Sequence, residues 1–209
     1  MALSLESICK KYGSHTVISF QKFQLTDGVY WLKGANGTGK TTLFRIIAGQ
    51  TPFDGQVSFR NVNLKKQPVS YRSTISYAEA EPQYPGYITG NDLVRYHQQV
   101  RRAKLDDVEK LIERFGMSPF MNQAIGGYSS GMLKKLSLIC AFIGEIELFL
   151  LDEPLITIDK ESATELFSLI KEYRVKGCMF LISSHQDIDP DMLSLDGVFM
   201  IQNGDIHKC

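Results

Sequence analysis

No long hydrophobic run is present in this chain. Its 209 residues contain no apolar stretch near the ~20 residues that a membrane-spanning helix needs, and no apolar segment behind a basic flank at the N-terminus. The expectation is a chain made and kept in the cytoplasm, docking at most on the inner face of a membrane as a peripheral subunit. Cysteine is scarce. The four at 9, 140, 178 and 209 share no C-x-x-C spacing, and three lie in or beside apolar runs, so they read as reduced structural thiols rather than a zinc site or disulfide framework. Charge of either sign is not in excess: Lys+Arg and Asp+Glu both total 23, which argues against nucleic acid as the partner. The lysine pairs Lys10-Lys11, Lys65-Lys66 and Lys134-Lys135 read as solvated faces. Repeats, low-complexity tracts and long linkers are also absent, so 44% apolar content supports one core, with room for a small inserted subdomain.

What is present alternates. Short strands are expected at Leu3 to Ile8, Thr16 to Phe20, Val29 to Leu32, and Val57 to Phe59 after the Asp54-Gly55 turn. From Thr89, an N-cap with Asp92 following, the chain turns helical, with Leu93, Tyr96 and Val100 on one face, then Val108, Leu111, Ile112 and Phe115, ending at Gly116. Strand and helix alternation returns with Leu148 to Leu151, a helix burying Ala163, Leu166, Phe167, Ile170 and Tyr173, and Met179 to Ile182. A terminal hairpin is expected around Asn203-Gly204. The pattern predicts an α/β fold: a mainly parallel sheet with N-terminal antiparallel strands and an inserted helical subdomain. The core spans 1–82 and 146–209, and the insert covers about 83–145.

Gly34-Ala35-Asn36-Gly37-Thr38-Gly39-Lys40-Thr41-Thr42 fits G-x-x-x-x-G-K-[ST] and lies between a strand and a helix. A loop of this kind ends at free backbone N–H groups and the positive end of a helix dipole, where phosphates bind. Lys40 reaches the β- and γ-phosphates in this reading, and the Thr41 hydroxyl takes one Mg2+ position. The apolar run Leu148 to Leu151 ends in Asp152-Glu153, which in a phosphate-loop enzyme are a Mg2+ ligand and the carboxylate that polarises the attacking water. His185 follows Ser183-Ser184 at the end of a second apolar strand, on the same carboxyl edge, and reads as a γ-phosphate contact.

Tyr128-Ser129-Ser130-Gly131-Met132, ahead of that Asp-Glu strand, resembles the L-S-G-G-Q signature of the ATP-binding cassette family. The resemblance spans nearly the whole chain and implies an ATPase subunit of a transporter, using ATP and Mg2+. By the same resemblance Tyr12 stacks on adenine, and Ser129 and Gly131 bind the γ-phosphate held by a second ATP-binding subunit. Asp159 is a contact across that dimer, for which a homodimer is expected. A separate integral membrane permease is the other implied partner, gripped by the insert and by the loop around Pro82 to Tyr87, where Tyr84, Pro85 and Tyr87 are candidate exposed contacts.

Four positions depart from the family pattern. Its Mg2+- and water-coordinating glutamine falls on Ala80, leaving Glu79 or Glu81 as substitutes; Ser130 and Met132 replace a glycine and the glutamine of the signature; and Thr157 stands where glycine is common. Slow hydrolysis is expected, because Lys40, Asp152, Glu153 and His185 remain. Two other functions fit parts of the sequence. Some cassette ATPases act on ribosomes or DNA, although those usually carry two cassettes or long coiled-coil inserts. Gly127-Tyr128-Ser129-Ser130-Gly131 also spells the G-x-S-x-G elbow of serine hydrolases, but the segment before it is broken by polar residues and glycine, whereas an elbow needs a buried strand.

Overall fold

The computed structural model describes residues 1–185 and 192–209. β1 (Leu3–Tyr12) and β2 (His15–Leu25) pair as an antiparallel hairpin, and β3 (Val29–Lys33) runs through a loop into α1 (Lys40–Ile47). β4 (Asp54–Phe59) and β5 (Val62–Asn63) follow, then the short α2 (Pro68–Ser73) and β6 (Ile75–Ala78). Next come α3 (Gly90–Arg101), α4 (Leu105–Arg114) and α5 (Ser130–Phe142). The remainder is β7 (Leu148–Asp152), α6 (Lys160–Val175), β8 (Met179–Ser184) and the hairpin of β9 (Gly197–Gln202) and β10 (Asp205–Lys208).

Two sheets result. The antiparallel one has the order β2-β1-β4-β5, and the larger one β10-β9-β3-β8-β7-β6 is parallel except for β10. β7 and β8 are buried along their whole length, as an interior parallel strand covered on both faces must be. Alternation along these strands divides two cores. Phe149, Leu151, Phe180, Ile182 and Trp31 face the side covered by α3 to α6, whereas Leu148, Leu150, Leu181 and Leu32 face α1 and the antiparallel sheet. On the first side Phe142, Phe149 and Phe180 stack, with centroids 4.7 Å apart at each of the two steps.

Helix ends follow local chemistry. Thr89 caps α3 in a full capping box with Asp92, as the sequence predicts. Its apolar face is narrower than expected: Leu93 and Val94 are buried, but Tyr96 and Val100 lie on the surface, because only the first half of α3 meets the core. α5 differs, since every residue from Leu136 to Phe142 is buried, on all sides of the helix. Lys134 lies within this buried helix, against the expectation of a solvated lysine pair; Lys10 is also buried, its ammonium donating to the Pro52 carbonyl at 2.8 Å.

Register fixes where the strands end. Asp152 pairs with Ser183 and Lys33 with Ser184, so β3, β7 and β8 finish side by side at one carboxyl edge. Among the described residues no helix is long and apolar enough to cross a membrane.

Candidate functional site

The loop from Gly34 to Gly39 leaves that edge and turns into α1. Gly37 and Gly39 sit at φ 81° and 105°, a left-handed region costly for any residue with a side chain, so glycine is required for the turn. Gly39 caps α1 without a side-chain hydrogen bond, leaving the helix N-terminus open to an anion. Thr38 braces the loop by donating to the Ala35 carbonyl at 3.0 Å. Ala35 and Asn36 complete its outer turn, and Thr41 and Thr42 lie in the first turn of α1, half-buried beneath it. Lys40 is 6% exposed and folds back over the loop, donating to Gly34 O at 2.6 Å and Ala35 O at 3.2 Å.

Opposite the loop stand two buried carboxylates. Asp152 is wholly buried, which costs several kcal/mol unless the charge is well hydrogen-bonded. Ser183 Oγ donates to its Oδ1 at 2.5 Å, and the Tyr77 phenol donates to Oδ2 at 3.1 Å. Burial, and then the neighbouring Asp152 and Glu79 charges, push the Tyr77 phenol far up, so it remains a donor. The same Ser183 oxygen accepts the Glu153 amide at 3.0 Å, fixing the backbone of the next residue in a left-handed turn at φ 46°. That turn swings Glu153 away from Asp152.

Glu153 reaches two of the other predicted residues. Its Oε2 lies 3.0 Å from His185 Nδ1 and accepts the His185 backbone N–H at 3.3 Å, while Oε1 is 3.4 Å from Lys40 Nζ. Oε1 has no hydrogen-bond partner among the described residues although it is buried. An orphaned carboxylate oxygen beside the phosphate-loop lysine fits a water molecule poised for deprotonation or polarisation. For a divalent cation, Asp152 and Thr41 supply hard oxygen donors on elements that pack together, α1 against β7. Two donors already steer the Asp152 carboxylate, an outer shell typical of metal ligands.

Other predicted residues lie elsewhere. Tyr12 ends β1, half-exposed, with the Lys10 ammonium 4.6 Å from its ring centroid. Ser129 caps α5, its hydroxyl accepting the Met132 amide at 3.2 Å, and among the described residues no hydrogen bond joins it to the phosphate loop. Because Ser129 follows a 3-10 turn at Ile125–Gly127 and not a strand, the hydrolase elbow is absent. Gly131 lies under the Thr157 carbonyl: a Cβ at 131 would sit 2.7 Å from that oxygen. Thr157 itself is at φ 68°, a strained setting for a β-branched residue. Asp159 caps α6 by accepting the Ser162 amide at 2.8 Å and pairs with Lys135 at 2.5 Å. Near Ala80, Glu79 directs its carboxylate to Arg45 at 3.9 Å, and Glu81 is exposed. Tyr87 is 86% exposed, whereas Tyr84 packs partly buried against the core, so only the first is a free surface aromatic.

Three residues of this neighbourhood escaped sequence reasoning. Ser183 and Tyr77 hold the Asp152 carboxylate, and Lys134 donates to the carbonyls of Glu79 at 2.8 Å and Asp152 at 3.1 Å. Burial pulls the Lys134 ammonium down to about 8, against the opposing pull of Asp152, Glu153, Glu81 and Glu79. The available signal was the uncharged stretch after Lys135, which marks α5 as a helix buried all round.

Comparison with known proteins places the chain in a family. Residues 21–156 match the family described as ABC transporter. The chain is 30% identical over 162 residues to the cytochrome c biogenesis ATP-binding export protein CcmA of Legionella pneumophila (strain Lens), covering 77% of this chain and 80% of the relative. It is 28% identical over 210 residues to the uncharacterized ABC transporter ATP-binding protein YxlF of Bacillus subtilis (strain 168), covering 98% and 69%. A solved structure titled as the ATP binding subunit of an ABC transporter shares the fold, with a TM-score of 0.88 at 23% identity, covering 100% of this chain and 90% of that one. A phosphate loop facing a buried Asp-Glu pair, on a fold and sequence of this kind, makes the chain a member of the ABC transporter family, one of its ATP-binding ATPases.

Proposed function

We propose that this chain is the motor subunit of a transporter: it closes head to tail with a second ATP-binding subunit around two ATP molecules and drives a separate integral membrane permease from the cytoplasmic face. The observation that carries the reading is that one buried carboxylate, Glu153, meets Lys40 through its orphaned Oε1 and His185 through Oε2. In that reading the loop amides and Lys40 hold the phosphates. Glu153 orients and polarises water, and His185 keeps that carboxylate in place while offering its ring to the γ-phosphate. Bound Mg2+, held by Thr41 and Asp152, would neutralise charge on the β- and γ-phosphates. Tyr12, exposed at the end of β1, is the adenine platform.

Among the described residues Ser129 makes no hydrogen bond to the phosphate loop of its own chain, which supports its serving, with Gly131, the site of a second copy; Asp159 pairs with Lys135 of α5, the helix that Ser129 caps. A homodimer follows if both copies are this chain. The permease would meet the surface formed by about residues 83–145, where Tyr87, Tyr96 and Val100 present exposed apolar area. The relatives named as export proteins favour an exporter.

Steady-state ATPase measurements test this directly. Glu153→Gln should lower kcat at least about 100-fold while ATP still binds, and should trap an ATP-dependent dimer. Activity unaffected by Glu153→Gln, or abolished by Ala80→Gln, would contradict the assignment of catalytic groups.

A further inference from the structure

Lys134 is the charged residue among the buried positions of α5, and it is 2% exposed. Its partners are backbone carbonyls of two different segments: Glu79, in the loop after β6, and Asp152, at the end of β7. An ammonium has three donors and no acceptor, so bonding to carbonyls registers main chain rather than neutralising a charge. Burying it costs free energy that an apolar residue of similar size would not, so the fold alone gives no reason for a lysine there. Its placement does give one. α5 begins at the Ser129 cap, Asp152 belongs to the metal site, and Glu79 adjoins Ala80, where the family's glutamine is missing.

We propose that Lys134 is a positioning residue that ties the signature helix to the two loops flanking the nucleotide of its own chain, so that Ser129 and Gly131 move with Asp152 and Glu79. The idea rests on the dimer reading above, in which the signature of one chain completes the site of the other. Lys134 then reports the state of one site to the next. Losing the tie leaves nucleotide binding intact and uncouples it from closure.

The test compares Lys134→Met and Lys134→Arg, each in the wild-type chain and in Glu153→Gln. Lys134→Met should keep the Kd for a fluorescent ATP analogue within about threefold and the Tm unchanged or higher, since an apolar side chain replaces a buried charge. Its kcat should fall about tenfold with KM little changed, and in the Glu153→Gln background its MgATP-dependent dimerisation constant should fall by a similar factor in sedimentation equilibrium. Lys134→Arg, which keeps donors, should recover at least half of both. A Lys134→Met chain with wild-type kcat overturns the proposal. So does a parallel loss of Tm, ATP affinity and kcat that arginine does not reverse, which marks a merely structural residue. Failure of Glu153→Gln alone to dimerise counts against the dimer reading, and the kcat and KM split of Lys134→Met still decides the role of the lysine.

Discussion

The Ser183 hydroxyl donates to Asp152 Oδ1 at 2.5 Å, and its oxygen accepts the amide of Glu153 at 3.0 Å. One side chain on β8 thus holds both carboxylate positions at the end of β7, where the register sets Asp152 opposite Ser183. In the proposed mechanism, the metal ligand and the water-polarising group are aimed from a single point.

Ser183→Ala should therefore damage metal use before nucleotide binding. Losing an outer-shell donor commonly costs about 10-fold or more in metal affinity. The half-saturating Mg2+ for ATPase activity is expected to rise by about that factor, with ATP binding in EDTA unchanged. A wild-type Mg2+ titration in the alanine variant would show that the serine does not steer Asp152.

Tyr77→Phe removes the donor to the other oxygen, Oδ2. Because Ser183 and Tyr77 serve one carboxylate, their losses should not add. The double variant is expected to depart from the sum of the single effects by about 0.5–3 kcal/mol in metal affinity, measured through a double-mutant cycle. Strict additivity would separate the two residues.

How much of this was visible in the sequence depends on distance along the chain. The glycine-rich loop is a local pattern, dictated by glycine torsions and a following helix, so its place between β3 and α1 was legible without coordinates. The place of Asp152 and Glu153 at the carboxyl end of β7 was legible because charge ends an apolar strand. Ser183 and Tyr77 were not, since strand register rather than spacing brings them to Asp152 from 31 and 75 residues away. Lys134 misled for another reason: two adjacent lysines suggest a wet face, and only the packing around α5 shows otherwise. Tyr96 misled in the opposite direction, because periodicity gives the face of a helix but not how far a core extends along it.

Thr157 occupies a left-handed conformation at φ 68°, which costs about 1–2 kcal/mol for a residue with a Cβ. Glycine there would relieve that strain but lose about 0.5–1 kcal/mol of it to greater freedom in the unfolded chain. Thr157→Gly is expected to be modestly stabilising, raising Tm by about 2 °C in a scanning melt. A lower Tm would mean that the Thr157 hydroxyl, which donates to Ile156 O at 2.6 Å, outweighs the strain.

Asp159 provides the pH test. The Lys135 ammonium, and then the Ser162 amide, hold its carboxyl well below the usual range. A depressed carboxylate contributes stability above its unfolded pKa of about 4, and that contribution is lost as pH falls toward the folded value. The side chain is 55% exposed, so solvent limits the effect to roughly 0.2–1 kcal/mol. Asp159→Asn should lower the urea midpoint slightly at pH 7, and the difference should begin to shrink only as pH falls below about 4 and close only once the folded carboxyl itself is protonated. A difference that persists unchanged in acid would exclude the ion pair as its source.

The close approach of Gly131 to the Thr157 carbonyl makes two distant positions epistatic. Position 131 lies in an ordinary helical turn, so alanine there would suit its backbone; what forbids it is an oxygen 2.7 Å from the site of a new methyl. Tolerance at 131 is consequently decided by the conformation at 157. A substitution that lets the Thr157 loop retreat would open 131 to other residues, whereas one that rigidifies the loop would close it further.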